Sequence, residues 1–196
     1  MKSNVCLLSK DTASLEVLLK ETEKAASYSN LDKKQTMRLR LLAEELVGML
    51  PELLEFGKGE FWVESDDKSF ALHVSLSPDE SLTMEKREKL LAVSSSGKNA
   101  AAVGIMAKIK IAAQFMLVDY QDNLINTPAF YDCGLSSEAI SSCSVVWSLN
   151  TYKQKVEAEK GAPWDELEKS IISNIADDVL VGLQDKKVDI TVKKAF

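Results

Sequence analysis

Two parts of this chain have residue types suited to chemistry: Glu44 with its flanks, and the run Ser94-Ser95-Ser96-Gly97-Lys98-Asn99. Glu44 sits in LRLLAEELVGML, residues 39–50, beside Glu45 and four residues before Gly48. A carboxylate there suits a general base. A mid-helix glycine costs about 1 kcal/mol against alanine, so Gly48 implies a close approach of packing or ligand. The 94–99 run suits a phosphate cradle: Gly97 and successive N–H groups can form an anion nest, the hydroxyls of Ser95 and Ser96 can donate, and Lys98 supplies charge. The pattern is not GxxxxGK[ST], because no glycine precedes Gly97 by five residues. The single histidine, His73, alternates with Phe70, Leu72, Val74 and Leu76, which puts it on the open face of a strand. Cys6, Cys133 and Cys143 have no paired spacing and no histidine nearby in sequence. They read as reduced thiols rather than a metal site or a nucleophile.

These residues need elements to hold them. Residues 3–8 suit a short strand, and 12–27 a helix with the stripe Leu15, Leu18, Leu19, Thr22 and Ala26, capped by Asp11 or Thr12. Asn30 or Asp32 can open a second helix carrying Leu39, Leu42, Ala43, Leu46, Val47 and Leu50, running to about Phe56 with a kink or an interruption at Pro51. Gly57-Lys58-Gly59 reads as a break. Residues 60–64 and 70–77 alternate as a hairpin around Asp66-Asp67-Lys68. Residues 84–92 suit a charged helix, and 100–118 an apolar one after the serine-glycine loop. Val145, Trp147 and Leu149 suggest a strand. Pro163 opens a helix with the stripe Leu167, Ile171, Ile175 and Val179, and 187–193 is a closing strand. Trp62, Trp147 and Trp164 read as packing residues. The order predicts one domain over 1–196: a two-layer α+β sandwich whose mixed, mostly antiparallel sheet is covered by helices on one face.

Composition bounds the function. The 196 residues are 45% apolar with a formal charge of −6 and a pI near 5.0, which gives no nucleic-acid footprint. No apolar run approaches the roughly 18 residues of a membrane span, and MKSNVCLLSKDT lacks a signal-peptide core, so a cytoplasmic location is expected.

The Glu44 helix, the hairpin after it, the loop at Gly97 and the following helix with Val103-Gly104-Ile105-Met106 together resemble the GHKL ATP-binding fold. That superfamily covers gyrase-type ATPases, histidine kinases and anti-sigma-factor serine kinases, and the short chain with two leading helices looks most like the last branch. The resemblance implies a bacterial nucleotide-binding regulator using ATP and Mg²⁺, with Glu44 as general base. It implies a nucleotide site at Ser95, Ser96, Gly97, Lys98, Asn99 and Gly104. The family carries an asparagine for Mg²⁺ four residues after the glutamate, where this chain has Gly48, which has no side-chain oxygen. Its adenine-binding aspartate-x-glycine is also departed from, since Asp79 has no glycine two residues on. The expectation is therefore an anti-sigma-factor-like ATP-binding protein with weak or no catalysis. The alternative is a non-catalytic interaction module on the same fold, with a regulatory protein partner or a second copy of itself.

Overall fold

A computed structural model of the chain describes residues 1–8, 14–53, 56–78, 147–158, 171–184 and 187–196. Six strands form one sheet in the order β1-β2-β3-β6-β5-β4. They are β1 (Cys6–Leu8), β2 (Phe56–Asp66), β3 (Ser69–Pro78), β4 (Trp147–Ser148), β5 (Asp178–Gln184) and β6 (Lys187–Ala195). All five pairings are antiparallel. The described helices are α1 (Ser14–Tyr28), α2 (Lys33–Gly48), α3 (Leu50–Leu53), α4 (Leu149–Ala158) and α5 (Ile171–Ile175). The α+β two-layer class is the one the residue pattern predicts.

Alternation builds the sheet. Phe61 and Val63 on β2, Leu72, Val74 and Leu76 on β3, Val179 and Val181 on β5, and Val188, Ile190 and Val192 on β6 are all buried. They form one core with Leu18, Leu19, Ala25 and Ala26 of α1 and Leu39, Leu42, Ala43 and Leu46 of α2. Most described residues of opposite parity stay partly or fully accessible, Ser75 and Gly182 being buried exceptions, as fits a sheet whose described helices cover one side. The hairpin turns through Asp67, which takes a left-handed φ of 51°. That conformation is tolerated by aspartate better than by most side chains.

Several boundaries differ from the sequence reading. Of the two expected candidates it is Asp32 that caps α2: its carboxylate accepts from the Gln35 N–H at 2.8 Å, and the Gln35 side-chain oxygen accepts from the Asp32 N–H at 3.1 Å. The expected interruption near Pro51 is present, α2 stopping at Gly48 and α3 resuming at Leu50, because Pro51 cannot donate to the turn before it, but Phe56 opens β2 instead of ending the helix. Gly57-Lys58-Gly59 is no break but the opening of β2, with a register shift between Phe56 and Lys58. Gly59 serves close packing, since a Cβ there would lie 2.8 Å from Leu76 Cδ2 and 3.1 Å from Leu8 Cβ. Leu149 opens helix α4 instead of extending a strand. Val179 belongs to strand β5, not to the preceding helix. The expected elements at 84–92, 100–118 and 163–170 lie outside the described residues.

Candidate functional site

Helix α2 presents its apolar stripe to the sheet and its opposite side to solvent. Met37, Leu41, Glu44 and Gly48, spaced four, three and four residues apart, lie along that solvent side. Glu44 is exposed and makes no hydrogen bond or ion pair with a described residue. Gly48 is also exposed, and a Cβ built there meets nothing within 4 Å among the described residues. Among the described residues, then, none makes the close approach that a mid-helix glycine implies. Asp79, Ser95, Ser96, Gly97, Lys98, Asn99 and Gly104 lie outside the described residues.

The described residues do not fit an Mg²⁺ clamp at Glu44. Gly48 offers no side-chain oxygen one turn on, and among the described residues no three His, Cys, Asp or Glu side chains stand together as ligands. Cys6 is buried, and burial followed by the Glu21 carboxylate pushes its thiol up. A thiol so placed is a packing group, not a nucleophile.

A second polar cluster lies on the open face of the sheet. With a two-residue turn at 67–68, the hairpin register sets Trp62 opposite His73 and Glu64 opposite Ala71. The Trp62 and His73 rings stack at 4.9 Å with 7° between planes. Trp62 Nε1–H donates to Glu64 Oε1 at 3.1 Å, and Lys2 Nζ reaches the same oxygen at 3.3 Å. Lys2 Nζ also stands 4.8 Å from the centre of the Trp62 ring. On the other flank, His73 Nδ1 hydrogen-bonds Thr191 Oγ1 of β6 at 3.0 Å. His73 Nε2 is buried without a hydrogen bond, 3.5 Å from Glu64 Oε2.

Burial pulls the His73 imidazole below its ordinary range; the Glu64 carboxylate opposes that pull, and Lys2 adds to it. Glu64 is pushed up by burial. The hydrogen bonds from Trp62 and Lys2, with the charges of His73 and Lys2, outweigh this and leave it below the usual carboxylate range. The sequence reading places His73 on the open strand face, where it is. No run of residues in the sequence joins His73 to Trp62, Glu64, Lys2 and Thr191. The turn length was the available signal, because pairing across Asp67-Lys68 puts Trp62 beside His73.

A cleft of about 860 Å³ opens at this end of the sheet. Its walls include Lys2, Glu64 and Asp66 on one side and Asp178, Lys193 and Lys194 on the other, with Ala71 on the floor. Lys194 is tied to Asp177 at 2.6 Å. Asp178 accepts from Ser148 Oγ and from the Asn150 N–H, each at 3.1 Å, so its carboxylate occupies the N-terminus of α4. Glu44 on α2 is not among the described residues lining this cleft.

No family model, curated protein or solved structure matches this chain. Among the described residues, no helix is long and apolar enough to cross a membrane.

Proposed function

We propose that the chain is a divergent GHKL-type nucleotide-binding regulator that binds ATP without efficient phosphoryl transfer. One observation supports this reading above others: Glu44 is solvent-facing with no hydrogen-bond or ion-pair partner among the described residues, none of which comes within 4 Å of a Cβ built at Gly48 one turn away. A glutamate so placed has access to a ligand, and a helix so placed has room for one. The missing oxygen at position 48 supports the absence of efficient catalysis, because phosphoryl transfer depends on metal positioning as much as on a base. Ser95, Ser96, Gly97, Lys98, Asn99 and Gly104 would supply the phosphate contacts and Glu44 the base.

Isothermal titration calorimetry with ATP and ADP, with and without Mg²⁺, tests the proposal. Expected is binding in the micromolar-to-millimolar range that changes little with Mg²⁺. Absence of heat at millimolar nucleotide rules the reading out.

A second reading, a non-catalytic interaction module, draws on Met37 and Leu41. These are 60% and 36% exposed on the same solvent side of α2 as Glu44. Apolar groups held at helical spacing on an open face suit a protein partner. Under that reading the calorimetry is silent, and Met37→Glu abolishes partner capture while leaving the fold intact.

A further inference from the structure

Three strands and the N-terminal segment meet around one imidazole on the open sheet face. Lys2 comes from the N-terminal segment, Trp62 and Glu64 from β2, His73 from β3 and Thr191 from β6. One carboxylate, Glu64, and one indole, Trp62, are shared between a lysine and a histidine. We propose that His73 is a proton-operated latch that sets whether Lys2 stays on Glu64 and Trp62, and thereby sets the charge of the wall of the sheet-end cleft.

The geometry gives the step. In the neutral ring one nitrogen carries the proton. If it is Nδ1, the N–H donates to Thr191 Oγ1 and Nε2 faces the Glu64 carboxylate as a bare acceptor. If it is Nε2, Nδ1 accepts from the Thr191 hydroxyl and the Nε2–H faces Glu64 without completing a hydrogen bond. A proton taken from solvent makes both nitrogens donors, one to Thr191 Oγ1 and one to Glu64 Oε2, with no covalent bond made or broken elsewhere.

Two cations then compete for one carboxylate and one ring. The His73 side chain is 20% exposed and fixed between strands, whereas Lys2 is 55% exposed on a segment at the edge of the sheet. Lys2 loses less by returning to water, so Lys2 is the group that leaves. The charged groups facing His73 are Glu64 from β2, Lys2 from the N-terminal segment, and Asp189 and Lys193 from β6. Lys2, Glu64 and Lys193 also line the cleft, so the latch acts on its wall. This device is independent of the nucleotide reading of α2.

The chain holds one histidine, so its Hε1 resonance can be followed by NMR through a pH titration without assignment. The expected result is a one-proton transition below pH 6.5, with Trp62 emission changing at the same midpoint and no emission change in Trp62→Phe. Coupling between two sites is reciprocal. Lys2→Met, at an exposed side chain, must therefore move the His73 midpoint upward, and His73→Gln must abolish the emission change. A midpoint unmoved by Lys2→Met overturns the latch, as does an emission transition that survives in Trp62→Phe. Should His73→Gln fail to fold, the Lys2→Met titration alone decides.

Discussion

Two glycines show how differently one residue type is used. Gly59 lies in β2 where the β1 and β3 side chains close over the backbone, with Leu76 Cδ2 2.8 Å from a built Cβ. Gly48 lies on the solvent side of α2 with nothing within 4 Å of its Cβ position among the described residues. Gly59→Ala is therefore expected to destabilise the fold by about 1–3 kcal/mol through overpacking, read as a lower urea midpoint at unchanged slope. Gly48→Asn is expected to leave the urea midpoint within about 0.5 kcal/mol of the parent, because no neighbour must move. The same variant restores a side-chain oxygen one turn from Glu44. ATP titrations of it should gain a dependence on Mg²⁺ that the parent lacks. An asparagine variant that folds normally and shows no Mg²⁺ effect would separate position 48 from any nucleotide site.

At the scale of elements, Asp178 joins a helix to a strand. Its carboxylate accepts from the Asn150 N–H and Ser148 Oγ at the start of α4, and from its neighbour Val179 N–H at 2.9 Å at the start of β5. Ser148 Oγ in turn accepts from the Thr151 N–H at 3.3 Å. Asp178→Ala is expected to cost about 0.5–2 kcal/mol, the usual range for a lost helix cap, measured by urea unfolding.

This junction also marks where the sequence could and could not be read. Strands β2, β3 and β6 and helices α1 and α2 were legible because each buries one face against a single layer. Their periods of 2 and 3.6 are accordingly clean, as in Phe70-x-Leu72-x-Val74-x-Leu76. Strand β5 was not legible, because Ile171, Ile175 and Val179 fall at helical spacing and hide the switch of period at Asp177-Asp178. The helix from Leu149 was lost for the converse reason: Trp147 and Leu149, both buried, mimic strand alternation across a helix start. At the candidate site, Glu44 was legible as an accessible carboxylate. The Trp62–His73–Glu64 cluster was not, because it comes from register between strands rather than from any run of residues.

Across the whole molecule, acid sensitivity follows from three groups. Burial lowers His73 from its ordinary 6.5, so its neutral form favours the fold. That contribution is present above about pH 6.5 and is lost as pH falls through the lower folded value. The hydrogen bond from Lys24 first, then its charge and the contacts with Asn4, hold Glu21 below 4.5 against the effect of burial. Glu64 is likewise below 4.5. Their contributions are present above about pH 4.5 and are lost as pH falls through their folded values. Stability should therefore decline in two stages on acidification. Urea midpoints at about pH 7.5 and about pH 5.5 isolate the His73 stage. The midpoint is expected to be lower at the acid value in the parent and equal at the two values in His73→Gln.

Under the proposed function, the solvent side of α2 and residues 95–99 and 104 contact the same nucleotide. Amide chemical-shift mapping by NMR, with ATP added to the ¹⁵N-labelled chain, tests it most directly. The expected result is saturable movement of the Leu41, Glu44, Glu45 and Gly48 amides together with those of Ser95, Ser96, Gly97, Lys98, Asn99 and Gly104, all fitting one dissociation constant. Movement of either group without the other would contradict the claim, as would an unchanged spectrum at millimolar ATP.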